Sequence, residues 1–200
     1  MSALSELYKE IALCEDCELA KHRTTVVPGE GSEDADILFI GEAPGWHEDQ
    51  QGRPFVGPAG HFLDELLRSI GLTRDDVYIA NVIKCRPPTN RDPLPSEMIA
   101  CRKWLDRQIE LIRPKMIVTL GRYSLAQFFP GSSIGKVHGT ARKKDGIIHF
   151  AMYHPAAALH QQSLRQTIQE DMLKIPRLLA QAEEVEEVKE EHKPEQLSMF

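Results

Sequence analysis

The 200-residue chain contains no apolar run long enough to cross a membrane. Its N-terminus, MSALSELYKE, lacks the basic start and apolar core of a secretory signal, so a cytoplasmic protein is expected. No internal repeat is visible, which excludes an array of stacked repeats. Cysteine is scarce, four in all, and cytoplasmic chains seldom form disulfides, so a disulfide scaffold is not expected. A basic excess is missing too. The tail from Glu183 to Glu195 carries seven acids and two lysines, a net of −5. Of the overall −6, that leaves −1 for the body. A nearly neutral body does not announce a nucleic-acid binder, although a local basic face suffices for one. Lys136, Arg142, Lys143, Lys144, Arg122 and Arg165 are the candidates for that face, and a solvated hairpin turn explains RKKDG equally well.

Apolar residues make up 42% of the chain, ample for a single core. Residues 4–13 carry a helical apolar face. Asp36–Ile40, Val77–Ile83 and MIVTLG read as buried strands. HFLDELLRSIG reads as a helix stopped by Gly71, and Ser96 is placed to cap a second helix running to about Ile112. YSLAQFF is a short helix, and KVHGTARKKDGIIHFAMYHP is a hairpin ending in a further strand. SLRQTIQEDMLKIPRLLAQA is a last amphipathic helix with a kink at Pro176. Strands alternating with helices predict an α/β three-layer sandwich around a four-stranded, mostly parallel sheet.

The strand ends carry the first functional signal. GEAPGWHEDQQGRPFVGPAG, Gly41 to Gly60, follows the first strand. It looks like a phosphate cradle except for Glu42, Glu48 and Asp49, whose carboxylates repel phosphate. Asn81 lies near the end of the second strand, Gly121-Arg122 after the third, and His154-Pro155 after the last. Open α/β sheets bind ligands outside the carboxyl ends of their strands. Four separate stretches thus deliver polar groups or glycines to one edge.

The cysteines read C-x2-C at Cys14 and Cys17, then Cys85 and Cys101 after a long gap. One close pair and two distant partners suggest tetrathiolate ligation. An iron–sulfur cluster, zinc and unligated core thiols all fit this spacing. A redox-active C-x-x-C fits less well, because no thioredoxin-like strand precedes it.

Three stretches occur in order beside these cysteines: GEAPGWHEDQQGRPFVGPAG, ANVIKCRPPTNRDP and YHPAA. Together they closely resemble the family 4 uracil-DNA glycosylases, over residues 1 to about 180. The resemblance implies a sheet between helices, a [4Fe–4S] cluster on Cys14, Cys17, Cys85 and Cys101, and excision of uracil from single- or double-stranded DNA. Asn81 then recognises uracil through its amide, and Phe55 stacks on the flipped base. Gly41 and Ala43 line the base site. His154 stabilises the departing uracil anion, and Glu42 acts on the water or on the cationic sugar. Glu48 supports the loop, and Asn90 joins a polar network at the pocket. Gly57 and Gly60, before the helix near His61, offer amides to a DNA phosphate, and Leu159 wedges into the gap left by the flipped nucleotide. HPAAALHQQ lacks the arginine that family members commonly show after the leucine, which bears on that wedge.

One relative of the family traps uracil-DNA covalently through a histidine on an inserted KRRIH-like loop. The corresponding PPTNRDPLP here has no insertion and no histidine. A nonenzymatic iron–sulfur accessory domain of DNA metabolism is the remaining alternative. Residues 1–182 are expected to form the glycosylase domain, and 183–200 an acidic flexible tail. The tail ends QLSMF, in which Gln196, Leu197, Met199 and Phe200 resemble the bacterial sliding-clamp-binding peptide. A monomer without membrane contact is expected.

Overall fold

A computed structural model describes residues 2–181. Six strands make up its sheet: β1 (Glu30–Gly31), β2 (Ile37–Gly41), β3 (Tyr78–Asn81), β4 (Met116–Leu120), β5 (Ala141–Lys144) and β6 (Ile147–Met152). Their order is β1-β3-β2-β4-β6-β5. The central four, β3-β2-β4-β6, run parallel. At the two edges β1 and β5 pair antiparallel. The expected four-stranded parallel core is therefore present, with one further strand at each side. Nine helices accompany it among the described residues: α1 (Ala3–Ala12), α2 (Trp46–Gln51), α3 (Pro58–Ser69), α4 (Pro95–Ile112), α5 (Arg122–Phe128), α6 (Ile134–Val137), α7 (Ala157–His160), α8 (Ser163–Met172) and α9 (Ile175–Ala180). No described helix is long and apolar enough to cross a membrane.

Strand alternation sorts the core into layers, because successive side chains point to opposite faces. Ile37, Phe39, Ile79, Val118 and Phe150 face one way and pack with Phe62, Leu63, Leu66 and Leu67 of α3 and with Ile168, Met172 and Ile175 of α8 and α9. Leu38, Ile40, Tyr78, Ala80 and Ile117 face the other way, onto Leu4, Leu7 and Ile11 of α1 and Trp104, Leu105 and Ile112 of α4. Cys85 and Cys101 belong to this second layer.

Several boundaries differ from the sequence reading. Ser96 does not cap α4, which starts at Pro95 with Leu94 as its cap. The Glu97 carboxylate accepts the N–H of the cap residue Leu94 at 2.8 Å and also pairs with Arg91, so the helix start is fixed from its third position, without a capping serine. The last helix is broken in two, and Pro176 sits in the first turn of α9, where its missing N–H costs nothing. Inside the glycine-rich loop lies an unforeseen helix, α2. It is too short to show an apolar period.

Candidate active site

The carboxyl ends of the parallel strands do meet. Gly41 and Asn81 are register partners on β2 and β3. A cavity of about 190 Å³ opens beside them, lined by Ala43, Gly45, Glu48, Phe55, Ala59, Asn81, His154 and Ala156. It adjoins a wider groove of about 520 Å³ that shares Ala43, Gly45, His154 and Ala156 and adds Glu42, Asn90, Arg91, Arg122 and His160.

Asn81 is only 2% exposed, and its Oδ1 has no hydrogen-bond partner. A buried amide oxygen without a partner is unfavourable and calls for a reason. Gly41 makes room for it: a Cβ there would lie 2.4 Å from Asn81 Oδ1 and 2.6 Å from the Phe55 ring. Phe55 holds a left-handed backbone, φ 54°, which costs on the order of 1 kcal/mol in a non-glycine residue. Its surroundings enforce that conformation. Arg74 donates to the carbonyls of Pro54 and Phe55 while its Nε binds Asp64 at 2.6 Å. Arg74, in a tight turn far along the sequence, has no local signal that would have marked it.

The Phe55 and His154 rings stack, with centroids 5.4 Å apart and planes 22° from parallel. His154 Nδ1 accepts the Ala156 N–H at 3.1 Å. That bond leaves the ring proton on Nε2. Burial lowers the His154 pKa to about 4, against the opposing pull of the Glu48 carboxylate. The imidazole is therefore neutral at physiological pH and still offers one N–H.

Glu48 organises the loop. One carboxylate oxygen accepts Val56 and Gly57 N–H, both at 2.9 Å, and the other accepts Gly45 N–H at 3.1 Å. Asp49, 1% exposed, accepts Thr24 N–H at 2.9 Å. These acids thus satisfy backbone amides of the protein itself, Glu48 within the glycine-rich loop and Asp49 in the segment before β1. The expectation for Gly57 and Gly60 is corrected accordingly. The Gly57 amide is taken by Glu48, and the Gly60 amide donates to Gly57 O at 2.8 Å. Gly60 is there for space, since a Cβ would lie 1.7 Å from Phe55 O.

Glu42 lies in the groove, outside the small cavity. Its pKa is raised to about 7, chiefly by burial and then by Asp92, with Arg122 pulling it down. Asp92 and Arg122 are hydrogen-bonded to each other. Asn90 accepts from Arg86 Nε at 2.6 Å and lines the groove with Glu42 rather than the cavity. Leu159 is half exposed on α7, five residues beyond His154. Of the basic candidates, Arg122 is in the groove. Arg142, Lys143 and Lys144 form the edge strand β5, and Arg165 lies over the Phe62 ring and pairs with Glu65.

On the α1–α4 side, Cys14, Cys17, Cys85 and Cys101 line one shared cavity with Arg23, Lys84 and Trp104. None forms a disulfide. N–H donors point at three of the sulfurs: Trp104 Nε1 at Cys14, Arg23 Nη1 at Cys85 and the Lys84 amide at Cys101, each at 3.3 Å. Among the described residues, no three His, Cys, Asp or Glu side chains are grouped to hold a single ion. The residues Gln196, Leu197, Met199 and Phe200 lie outside the described residues.

A small cavity at the strand ends, walled by stacked aromatic rings and carrying one neutral N–H and one unpartnered amide oxygen, suits a flat heterocycle with edge hydrogen bonds. An α/β sandwich with that site is the class of the base-excising glycosylases. The uracil DNA glycosylase superfamily model matches residues 28–175. The chain is 50% identical over 188 residues to a type-4 uracil-DNA glycosylase of Sulfurisphaera tokodaii, covering 89% of this chain and 86% of that one. It is 46% identical to a type-4 uracil-DNA glycosylase of Archaeoglobus fulgidus, covering 89% and 94%. A third, from Thermotoga maritima, is 47% identical, covering 87% and 92%. The chain belongs to the uracil DNA glycosylase superfamily, in its type-4 branch.

Proposed function

We propose that this protein removes uracil from DNA by hydrolysing the N-glycosidic bond of a flipped nucleotide, leaving an abasic site. The observation that carries this is the buried, unpartnered Oδ1 of Asn81 in the small cavity. Uracil N3–H is the donor that would satisfy it, and the amide's own N–H would meet uracil O4. Cytosine presents the opposite pattern at both atoms and would leave the amide unpaired. Phe55 forms the face on which the base stacks, and its clamped backbone keeps the wall in place before the base arrives. His154 donates its Nε2 proton toward uracil O2. A neutral donor suits this task, because it stabilises the anion as charge develops in the transition state.

Glu42, in the adjoining groove, holds the water that attacks the sugar or balances the sugar's positive charge. Either role requires a carboxylate. With a pKa near 7, Glu42 ionises as pH rises through neutrality. Excision should therefore increase through about pH 7, and Glu42→Gln should lose that rising limb together with about 10²-fold or more in kcat. A pH–rate profile of the variant that keeps the limb would assign it to another group. Leu159, exposed on α7, is the residue proposed to fill the gap in the stack. Single-stranded DNA should serve as well as duplex, because it offers the base already unpaired.

The cysteine site fits a [4Fe–4S] cluster. Four thiols line one cavity, and amide and side-chain N–H donors are aimed at three of their sulfurs. Bound there, the cluster supplies metal–sulfur crosslinks between the end of α1, the loop after β3, and α4. The four cysteines line a cavity that shares no lining residue with the cavity at Asn81, which argues for a structural contribution.

Residues 183–200 are proposed as an acidic tether whose last five residues bind a bacterial-type sliding clamp, raising the local concentration of enzyme at replicating DNA. Deleting Gln196–Phe200 should abolish capture by immobilised clamp while leaving excision of free oligonucleotides unchanged. Undiminished capture would refute the tether.

Incubation with uracil-containing single-stranded and duplex oligonucleotides tests the central reading. Turnover to abasic product is expected. A stable protein–DNA adduct would point to a covalent trap, and no reaction to an accessory domain.

A further inference from the structure

Lys84 is 1% exposed, an unusual place for an ammonium. Its Nζ donates to Asn81 O at 2.8 Å and to Gln108 Oε1 at 2.6 Å. Gln108 is itself fully buried, and its Nε2 donates to Pro28 O at 2.8 Å and to the Tyr78 hydroxyl at 3.0 Å. Both acceptors of the ammonium are neutral. Among the described residues no carboxylate forms an ion pair with it. A buried cation held only by neutral acceptors is unfavourable unless charge of the opposite sign is near. The cysteine site is what lies near. Lys84 lines that cavity, its own amide donates to Cys101 Sγ, and Cys85 is its neighbour in the chain. Cysteines that bind metal do so as thiolates, which supply negative charge.

The second half of the observation concerns Asn81. Its carbonyl accepts from Lys84, and the N–H of the same peptide unit, that of Val82, donates to Gly41 O at 3.1 Å. The peptide that orients the Asn81 side chain is thus held from both sides, once by the neighbouring strand and once by Lys84.

We infer that Lys84 is a positioning residue that couples the cysteine site to base recognition: thiolate charge holds the ammonium, and the ammonium holds the Asn81 peptide. This rests on the reading above, in which Asn81 reads uracil and the cysteines carry iron. The two sites share no cavity, so the side chain and backbone of one lysine provide the physical connection between them.

The test uses the iron-loaded full chain and the variants Lys84→Met, which keeps the length of the stem, and Lys84→Gln, which keeps a neutral donor. Three quantities are read: the kcat and KM for uracil excision, the rate of iron loss to a chelator, and the melting temperature. Lys84→Met should lower kcat about tenfold or more, the effect of losing a charged hydrogen bond, with KM for DNA within about twofold. Its iron should be lost several-fold faster, since coupling between two sites is reciprocal. Lys84→Gln should fall between wild type and Lys84→Met in both, and it decides the matter if Lys84→Met does not fold. Unchanged kcat, or unchanged iron loss, overturns the coupling. So does a fall in melting temperature with kcat and KM scaling only with the folded fraction, which would make Lys84 merely structural. Failure of the underlying reading looks different: the wild-type protein would lack iron or would not excise uracil at all.

Discussion

Replacing Asn81 by alanine is expected to reduce kcat/KM on uracil-containing DNA about 10³-fold while changing the melting temperature little. The first half follows from the polar pairing the amide offers. One lost catalytic donor costs about 10²–10³, and a site built to pair polar groups loses more when both partners go. The second half follows from Oδ1 having no partner within the protein. Deleting it removes a buried polar atom whose need is unmet until substrate binds, so folding loses nothing on its account. An ordinary core asparagine would behave oppositely, losing stability along with activity. The Asn81 backbone contacts to Lys84 and to the β2 partner strand survive the substitution. Quantifying abasic product by strand cleavage, beside a thermal melt of the same preparation, reads both halves. A loss below tenfold would mean that some other group reads the base.

Replacing Cys101 by alanine should have the largest effect on stability. The side chain is 8% exposed in the layer between sheet and helices, and its sulfur accepts the Lys84 amide. Its loss removes one of the four proposed ligands, leaves that amide unpaired and opens space beside Trp104. Metal-binding free energy is folding free energy where the site forms only on folding. Each kcal/mol shifts a domain of this size by about 2–4 °C, so a fall of roughly 10 °C or more is expected, with loss of iron and of visible colour. Excision by the fraction that remains folded should fall less than in Asn81→Ala, because the cavity walls belong to other elements. A Cys101→Ala protein with full iron content and wild-type melting would remove Cys101 from the ligand set.

Much of this was legible in the chain. Apolar strands alternating with helices predict the parallel core, because a strand covered on both faces reads as a nearly continuous apolar run; all five residues of β2 and of β4 are buried, Thr119 with its hydroxyl donated to Phe150 O. The convergence of Gly41, Asn81, Arg122 and His154 follows from topology, since parallel strands put their carboxyl ends on one edge. What escaped was whatever depends on distant partners. Gly57 and Gly60 looked like anion ligands because a helix start is an anion site by default, and nothing local reveals that Glu48 takes the Gly57 amide while Gly60 donates to Gly57 O. Arg74 and Lys84 are ordinary basic residues in sequence, and only the fold brings one onto the Phe55 carbonyl and the other beneath Asn81. The α4 cap was missed because serine is the commoner cap, while Glu97 is fixed in place by Arg91.

The positions of the cysteines also set an order in time. All four lie within the first 101 residues, whereas His154 comes 53 residues after the last of them. During synthesis the chain cannot bring Cys14 and Cys17 together with their partners until α4 has emerged. It cannot bring His154 to the carboxyl edge of the sheet until β6 has joined it. All four proposed cluster ligands are thus in the nascent chain before His154, the proposed donor to the leaving uracil. At about 5–20 residues per second, the interval between Cys101 and His154 is a matter of seconds.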